Sequence, residues 1–244
     1  MPCSIGWLRM KAQERLIVAL DLKGKDRILA LVESLKDAVW FKIGAVNFTA
    51  YGPELIGQIK RLGKRVFLDL KFHDIPNTVA LAVESACRIG ADMLTVHAVG
   101  GVDMMRAAVE AARGSGNGDV LVCAVTVLTS MDDENIGRDM LIHMKSHEAV
   151  LAFAENAMKA GVNALVASPK EAPLIREHFG DHFRLITPGI RPEGSSAGDQ
   201  KRITTPADAI ALGADFLVVG RPIYASDDPV SAYNQIIRQM EEVC

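Results

Sequence analysis

The amino-acid sequence predicts an α/β protein, and within that class a single (β/α)8 TIM barrel. Three observations carry this reading. A short apolar run rich in β-branched residues alternates with a longer segment of helical period, eight times over. The runs are near-continuously hydrophobic, as parallel strands covered on both faces must be. The 244 residues match the roughly 250 that such a barrel uses in one domain, and no Pro/Ser-rich linker divides them. A doubly wound open sheet is the structural alternative. It usually needs fewer strands, and no Gly-x-Gly-x-x-Gly follows the first run.

The elements follow in order. The runs Leu16–Leu20, Val39–Ile43, Val66–Leu70 and Met93–Val96 are strands, each followed by a helix: Asp26–Leu35, Pro53–Leu62, Val79–Ile89 and Val102–Ala112. The second half repeats the pattern with strands Val120–Leu128, Ala164–Ala167, Arg184–Ile186 and Phe216–Val219, and helices His147–Ala160, Lys170–His178, Pro206–Leu212 and Pro229–Val243. Four helices run into glycine, at Gly63, Gly90, Gly161 and Gly213. Glycine tolerates the left-handed conformation that closes a helix. Two connections are long for βα loops: Thr129 to about Ser146, and Gly189 to about Thr204. The second is rich in glycine, serine and charge, the composition of a lid or binding loop as well as of a plain surface loop. Residues 1–15 read as an N-terminal extension, with the catalytic barrel over 16–244.

Composition excludes several classes. Hydrophobic residues make up 49% and charged residues 23%, a globular balance that leaves little room for disorder or coiled coil. The net charge of −3 gives no basic excess to attract nucleic acid. Cys3, Cys87, Cys123 and Cys244 include no Cys-x-x-Cys pair and read as reduced thiols of a cytoplasmic protein. No apolar run reaches the roughly 18 residues of a membrane span, and Ile5 to Leu8 is too short for a signal-peptide core of about 7 residues or more.

In a barrel of this kind the active site lies at the C-terminal strand ends. Those ends carry Asp21 (strand one), Lys42 (two), Asp69 and Lys71 with Asp74 beyond (three), His97 (four), Thr129 (five), Arg191 (seven) and Gly220-Arg221 (eight). Residues two apart on a strand share a face, so Asp69 and Lys71 point one way and Leu68 and Leu70 the other. One such pair could simply close a barrel end. Charges at Asp21, Lys42, Asp74 and Arg221 favour a site instead. An alternating Lys42–Asp69–Lys71–Asp74 array would be neutral and would hold Lys71 protonated, fit to act as a general acid. The loops after strands seven and eight are the usual phosphate site of a barrel. They offer Gly189, Arg191, Gln200, Gly220 and Arg221, glycines for backbone approach and arginines for bidentate contact.

Together these residues resemble the orotidine 5′-monophosphate decarboxylase family. Its signature is matched by Asp69-x-Lys71-x-x-Asp74-Ile75-Pro76-Asn77-Thr78, with further similarity at Val18–Asp21, Phe41–Gly44, Thr95–Ala98, Leu128–Ser130, Pro188–Pro192 and Val219–Ile223. The resemblance implies a homodimer of barrels converting orotidine 5′-phosphate to UMP with no metal and no cofactor. It implies Asp21 and Lys42 on the ribose, Lys71 as proton donor to C6, and Asp69 beside the leaving carboxylate. It implies Asp74 and Thr78 reaching the partner's site, with Ile75 also at the substrate, and Thr129 on the pyrimidine. Gln200, Arg221 and the Gly220 amide would hold phosphate, with Arg191 at the base of the closing loop.

Two rival readings stay in view. Mg²⁺-dependent sugar-phosphate decarboxylases and aldolases of the same superfamily share Asp-x-Lys-x-x-Asp, but carry a metal-binding glutamate where this chain has Lys42, whose charge would repel the ion. A silent barrel that only binds a phosphorylated metabolite is the other, since fold does not imply activity; an intact acid–base array speaks against it. His97 reads as a hydrogen-bonded rim histidine. His143 and His147 lack a third ligand and read as surface residues. Met104, Met105, Met131, Met140 and Met144 read as packing residues.

Overall fold

The computed structural model describes residues 10–116, 120–128, 130–192 and 204–243. Eight parallel strands close into a barrel in sequence order, with β1 paired to both β2 and β8. The chain enters through α1 (Ala12–Arg15) and β1 (Leu16–Ala19). It continues through α2 (Lys25–Ser34), β2 (Trp40–Gly44), α3 (Ala45–Arg61), β3 (Arg65–Phe72), α4 (Pro76–Arg88) and β4 (Met93–His97). After a 3₁₀ turn at Ala98–Gly100 come α5 (Gly101–Gly114), β5 (Leu121–Val125), α6 (Asp133–Asp139), α7 (Ser146–Lys159) and β6 (Ala164–Val166). The last part holds α8 (Ala172–Phe179), β7 (Arg184–Pro188), α9 (Pro206–Ala211), β8 (Phe216–Val219), α10 (Arg221–Tyr224) and α11 (Pro229–Glu241). Among the described residues no helix is long and apolar enough to cross a membrane.

Strand parity sorts side chains into two cores. Outward residues such as Val66, Leu68 and Leu94 pack under the helices. Inward ones, among them Ile17, Trp40, Phe67, Met93, Cys123 and Phe216, plug the barrel. Trp40 meets Phe216 edge-on at 6.1 Å between ring centroids. This plug sets the floor of the site: two residues beyond Ala19, Trp40 and Phe67 on the same faces stand Asp21, Lys42 and Asp69. The expected glycine caps are present, Gly63, Gly90, Gly161 and Gly213 all having φ between 73° and 102°.

The structure departs from the sequence reading in several places. Helix α3 starts at Ala45, not Pro53, and is broken at Gly52 (φ 58°, ψ −153°); proline disfavours helical geometry in the residue before it, so two helical pieces meet there. Helix α4 begins at Pro76, which suits a first helical position. Strand β5 ends at Val125 rather than Leu128, because its neighbour β6 stops at Val166. The connection after β5 holds α6, capped by the Asp132 carboxylate on Asn135 N at 3.0 Å. The extension itself carries α1 over residues 12–15, where Ala12 is buried and the Arg15 guanidinium donates to Ala214 O and Asp215 O.

Candidate active site

A cavity of about 360 Å³ opens at the C-terminal ends of the strands. Along one wall, four side chains alternate in charge. Lys42 Nζ lies 3.3 Å from Asp21 Oδ1 and 3.5 Å from Asp69 Oδ2, and Lys71 Nζ lies 2.7 Å from Asp69 Oδ1. The Lys42 side chain is 11% exposed, whereas that of Lys71 is 37% exposed: the first is lodged between two carboxylates, the second reaches the open space. Gly44 makes room for this, since a Cβ there would come within 3.2 Å of Lys42 Nζ and 3.3 Å of Asp21 Oδ1. Gly189 and Arg191, after β7, and Gly220 and Arg221, after β8, line the same cavity. Arg191 is buried, and its backbone N–H donates to Thr204 O at 3.1 Å, so the two ends of the connection between β7 and α9 are tied beside the site.

The electrostatics follow from burial and pairing. Burial pushes the Asp69 carboxyl up, but the ammonium groups of Lys42 and Lys71 and hydrogen bonds from Lys71 and Thr95 outweigh it, so its pKa falls below the ordinary value. Burial pushes the His97 imidazole down, with help from His73 and Lys71. It stacks on His73 at 5.7 Å between ring centroids and accepts from Val99 N, as a rim histidine would. Burial pushes the Cys123 thiol beneath the site well up, and the Asp69 carboxylate adds to this.

Within one chain the alternation runs Asp21–Lys42–Asp69–Lys71, and Asp74 does not stand in it. Strand β3 ends at Phe72 and the chain turns outward, leaving Asp74 exposed with its carboxylate on Ile75 N at 2.7 Å. Ile75 (66% exposed) and Thr78 are also exposed and do not line the cavity of their own chain. Thr129, Gln200 and residues 193–203 of the long connection lie outside the described residues, as do Cys3 and Cys244; Cys87 and Cys123 are buried. Among the described residues no group of three His, Cys, Asp or Glu side chains could hold a metal ion.

Three residues escaped the sequence reading. Ser130 and Tyr224 line the cavity. The Tyr224 phenol is pushed up by burial and by Asp21, against the opposing pull of Arg221, Arg191 and Lys42. Thr95 is fully buried and bonded to both Asp69 and Lys71. Inward parity on β4 was a usable signal for Thr95; Tyr224 gave none, because the short helix that turns it inward has no periodicity.

Fold and site together define a (β/α)8-barrel enzyme with an ammonium–carboxylate pair facing a pocket that two arginines also line. The chain belongs to the Orotidine 5'-phosphate decarboxylase / HUMPS family, whose model matches residues 14–236. It is 45% identical over 239 residues to the orotidine 5'-phosphate decarboxylase of Syntrophomonas wolfei, covering 96% of this chain and 100% of that one. It is 46% identical over 241 residues to that of Moorella thermoacetica, covering 97% and 96%. Among solved structures, the orotidine 5'-phosphate decarboxylase of Lactobacillus acidophilus superposes with a TM-score of 0.83 at 33% identity, covering 92% of this chain and 98% of that one. An uncharacterized conserved protein from Geobacillus kaustophilus superposes with a TM-score of 0.82, also at 33% identity, covering 92% and 99%.

Proposed function

We propose that the protein performs the reaction for which its relatives are named, the decarboxylation of orotidine 5′-phosphate to UMP in pyrimidine biosynthesis. The observation that carries this is the alternation Asp21–Lys42–Asp69–Lys71 in a cavity that Arg191 and Arg221 also line. Two arginines lining the same cavity suit a phosphate dianion.

The reaction then runs as follows. The bond from C6 to the carboxylate breaks, CO₂ leaves, and the electron pair stays on C6. The Lys71 ammonium, 2.7 Å from Asp69, stabilises that developing charge and gives its proton to C6, becoming a neutral amine. Asp69 faces the departing carboxylate. Asp21 and Lys42 hold the ribose, Thr129 the pyrimidine, and Arg221, the Gly220 amide and Gln200 the phosphate, with Arg191 at the base of the loop that closes over it. Binding the phosphate, remote from C6, supplies energy for ordering the reacting end. No metal or cofactor is needed, and Lys42 stands where a bound cation would be repelled.

Asp74, Ile75 and Thr78 complete the site of a second copy in a homodimer. Their exposure outside their own cavity supports this. The catalytic unit is the barrel from Leu16 onward, with residues 1–15 as an extension, and the protein works in the cytoplasm.

The test is the absorbance change of the purified protein with orotidine 5′-phosphate in excess EDTA. Rapid formation of UMP is expected. A folded protein that binds UMP without turnover would make it a silent barrel, and turnover only after Mg²⁺ is restored would make the chemistry metal-dependent.

A further inference from the structure

The ladder between β3 and β4 is irregular at the site. Leu68 pairs with Leu94 and Phe72 with Val96, so Asp69, Leu70 and Lys71 face a single residue of β4, Thr95. A bulge of this kind leaves backbone groups of the longer strand without ladder partners. Lys71 sits at its end with φ 52°, a left-handed conformation that a side chain with a Cβ rarely adopts. Its N–H donates to Thr95 Oγ1 at 2.8 Å instead of to a strand. The same hydroxyl donates to Asp69 Oδ1 at 3.1 Å, the oxygen that also accepts from Lys71 Nζ. Thr95 is fully buried, so no water can easily take over either bond. One hydroxyl therefore ties the backbone of the lysine to the carboxylate that steers its ammonium group.

We infer that Thr95 is a positioning residue, whose hydroxyl holds the bulged, left-handed backbone of Lys71 and the Asp69 carboxylate in register so that the ammonium group stands at the reacting carbon. This rests on the decarboxylase reading above. Without the hydroxyl the bulge loses its one side-chain acceptor for Lys71 N–H and can relax toward ordinary strand geometry, moving Nζ away from its place. A displacement of about 1 Å is enough to cost roughly 10²-fold in rate.

The experiment compares Thr95→Val, Thr95→Ala and Thr95→Ser with the wild-type protein, reading kcat and KM for orotidine 5′-phosphate. Valine keeps the shape and removes the hydroxyl; serine keeps the hydroxyl and removes the methyl; alanine removes both and serves if valine fails to fold. The expected result is a fall in kcat of roughly tenfold or more for valine and alanine with KM little changed, and recovery by serine to within about threefold of wild type. A hydroxyl-free variant with kcat closer than that to wild type would overturn the inference. So would a serine variant as slow as alanine, which would make the role one of packing, or a loss confined to KM. Absence of turnover in the wild-type protein would instead count against the decarboxylase reading, which keeps the two failures apart.

Discussion

The two ends of the barrel carry ion pairs of equal closeness and unequal purpose. At the N-terminal end, Asp92 takes Lys60 Nζ on both carboxylate oxygens at 2.7 Å and accepts from Val66 N at 2.7 Å. Asp215 takes Arg176 at 2.6 Å and Arg184 at 3.5 Å and accepts from Leu185 N at 2.8 Å. Arg176 in turn donates to the carbonyls of Gly180, Phe183 and Gly213. At the C-terminal end, the hydrogen bonds and ion pairs of Asp69 among the described residues come from Lys42, Lys71 and Thr95 side chains, and the group faces a cavity. An ion pair whose members also bind backbone holds strands in register. One whose members bind each other and look into space is available for chemistry. Proximity and charge do not separate the two cases; the destination of the remaining lone pairs and protons does.

Substitutions at the two ends test that contrast. The largest effect is expected for Lys71→Ala, which should lower kcat by roughly 10³-fold or more while leaving the denaturant midpoint nearly unchanged. Near-normal turnover would remove the lysine from its role and blur the distinction. Next is Arg221→Ala, expected to lower kcat/KM by roughly 10- to 100-fold for the phosphorylated substrate, the worth of a charge-assisted hydrogen bond or two. A phosphate-free substrate should be spared, and equal losses on both would contradict phosphate binding. At the other end, Asp215→Ala should cost about 2 kcal/mol in a urea titration, since it removes a carboxylate shared by two partly exposed guanidinium groups and takes the acceptor from the Leu185 N–H. Its kcat should stay within about twofold of wild type, because the residue touches nothing at the site; a large kcat loss in folded protein would show that the ends are coupled.

The smallest effect concerns pH. The folded-state pKa of Asp69 lies below its ordinary value of 3.8. Its ionised form therefore adds stability that is fully present above that value and lost as pH falls through the folded pKa. The stability difference between wild type and Asp69→Asn should shrink in the wild type's disfavour as pH drops below about 4. A difference flat from neutral to acid pH would mean that the carboxylate is not held by its two lysines.

Much of the site was legible because parity along a strand is a local property. Asp69 and Lys71 share the inward face of β3, and Asp21 and Lys42 lie two residues beyond inward-facing Ala19 and Trp40, so charge at successive strand ends converges in any closed barrel. The features that were missed depend on neighbours remote in sequence or lack a pattern. Helix α6 has seven residues and one buried side chain, Ile136, too little for a helical stripe to register. The early start of α3 was hidden behind Pro53, which looks like a first helical position and is instead the partner of a break at Gly52. Asp74 shares the sequence neighbourhood of Lys71 but not its destination, because the strand ends between them.

The sequence by itself determined the eight-fold alternation of strand and helix, the closure glycines and the inward face on which each charged residue would stand, since all of these follow from short-range periodicity and backbone preference. Only the tertiary structure decided which charges meet. It put Asp21 beside Lys42, pressed Gly44 against both, and placed Thr95 opposite three residues of β3, because inter-strand register and the bulge that shifts it are set by packing between segments that no local pattern connects.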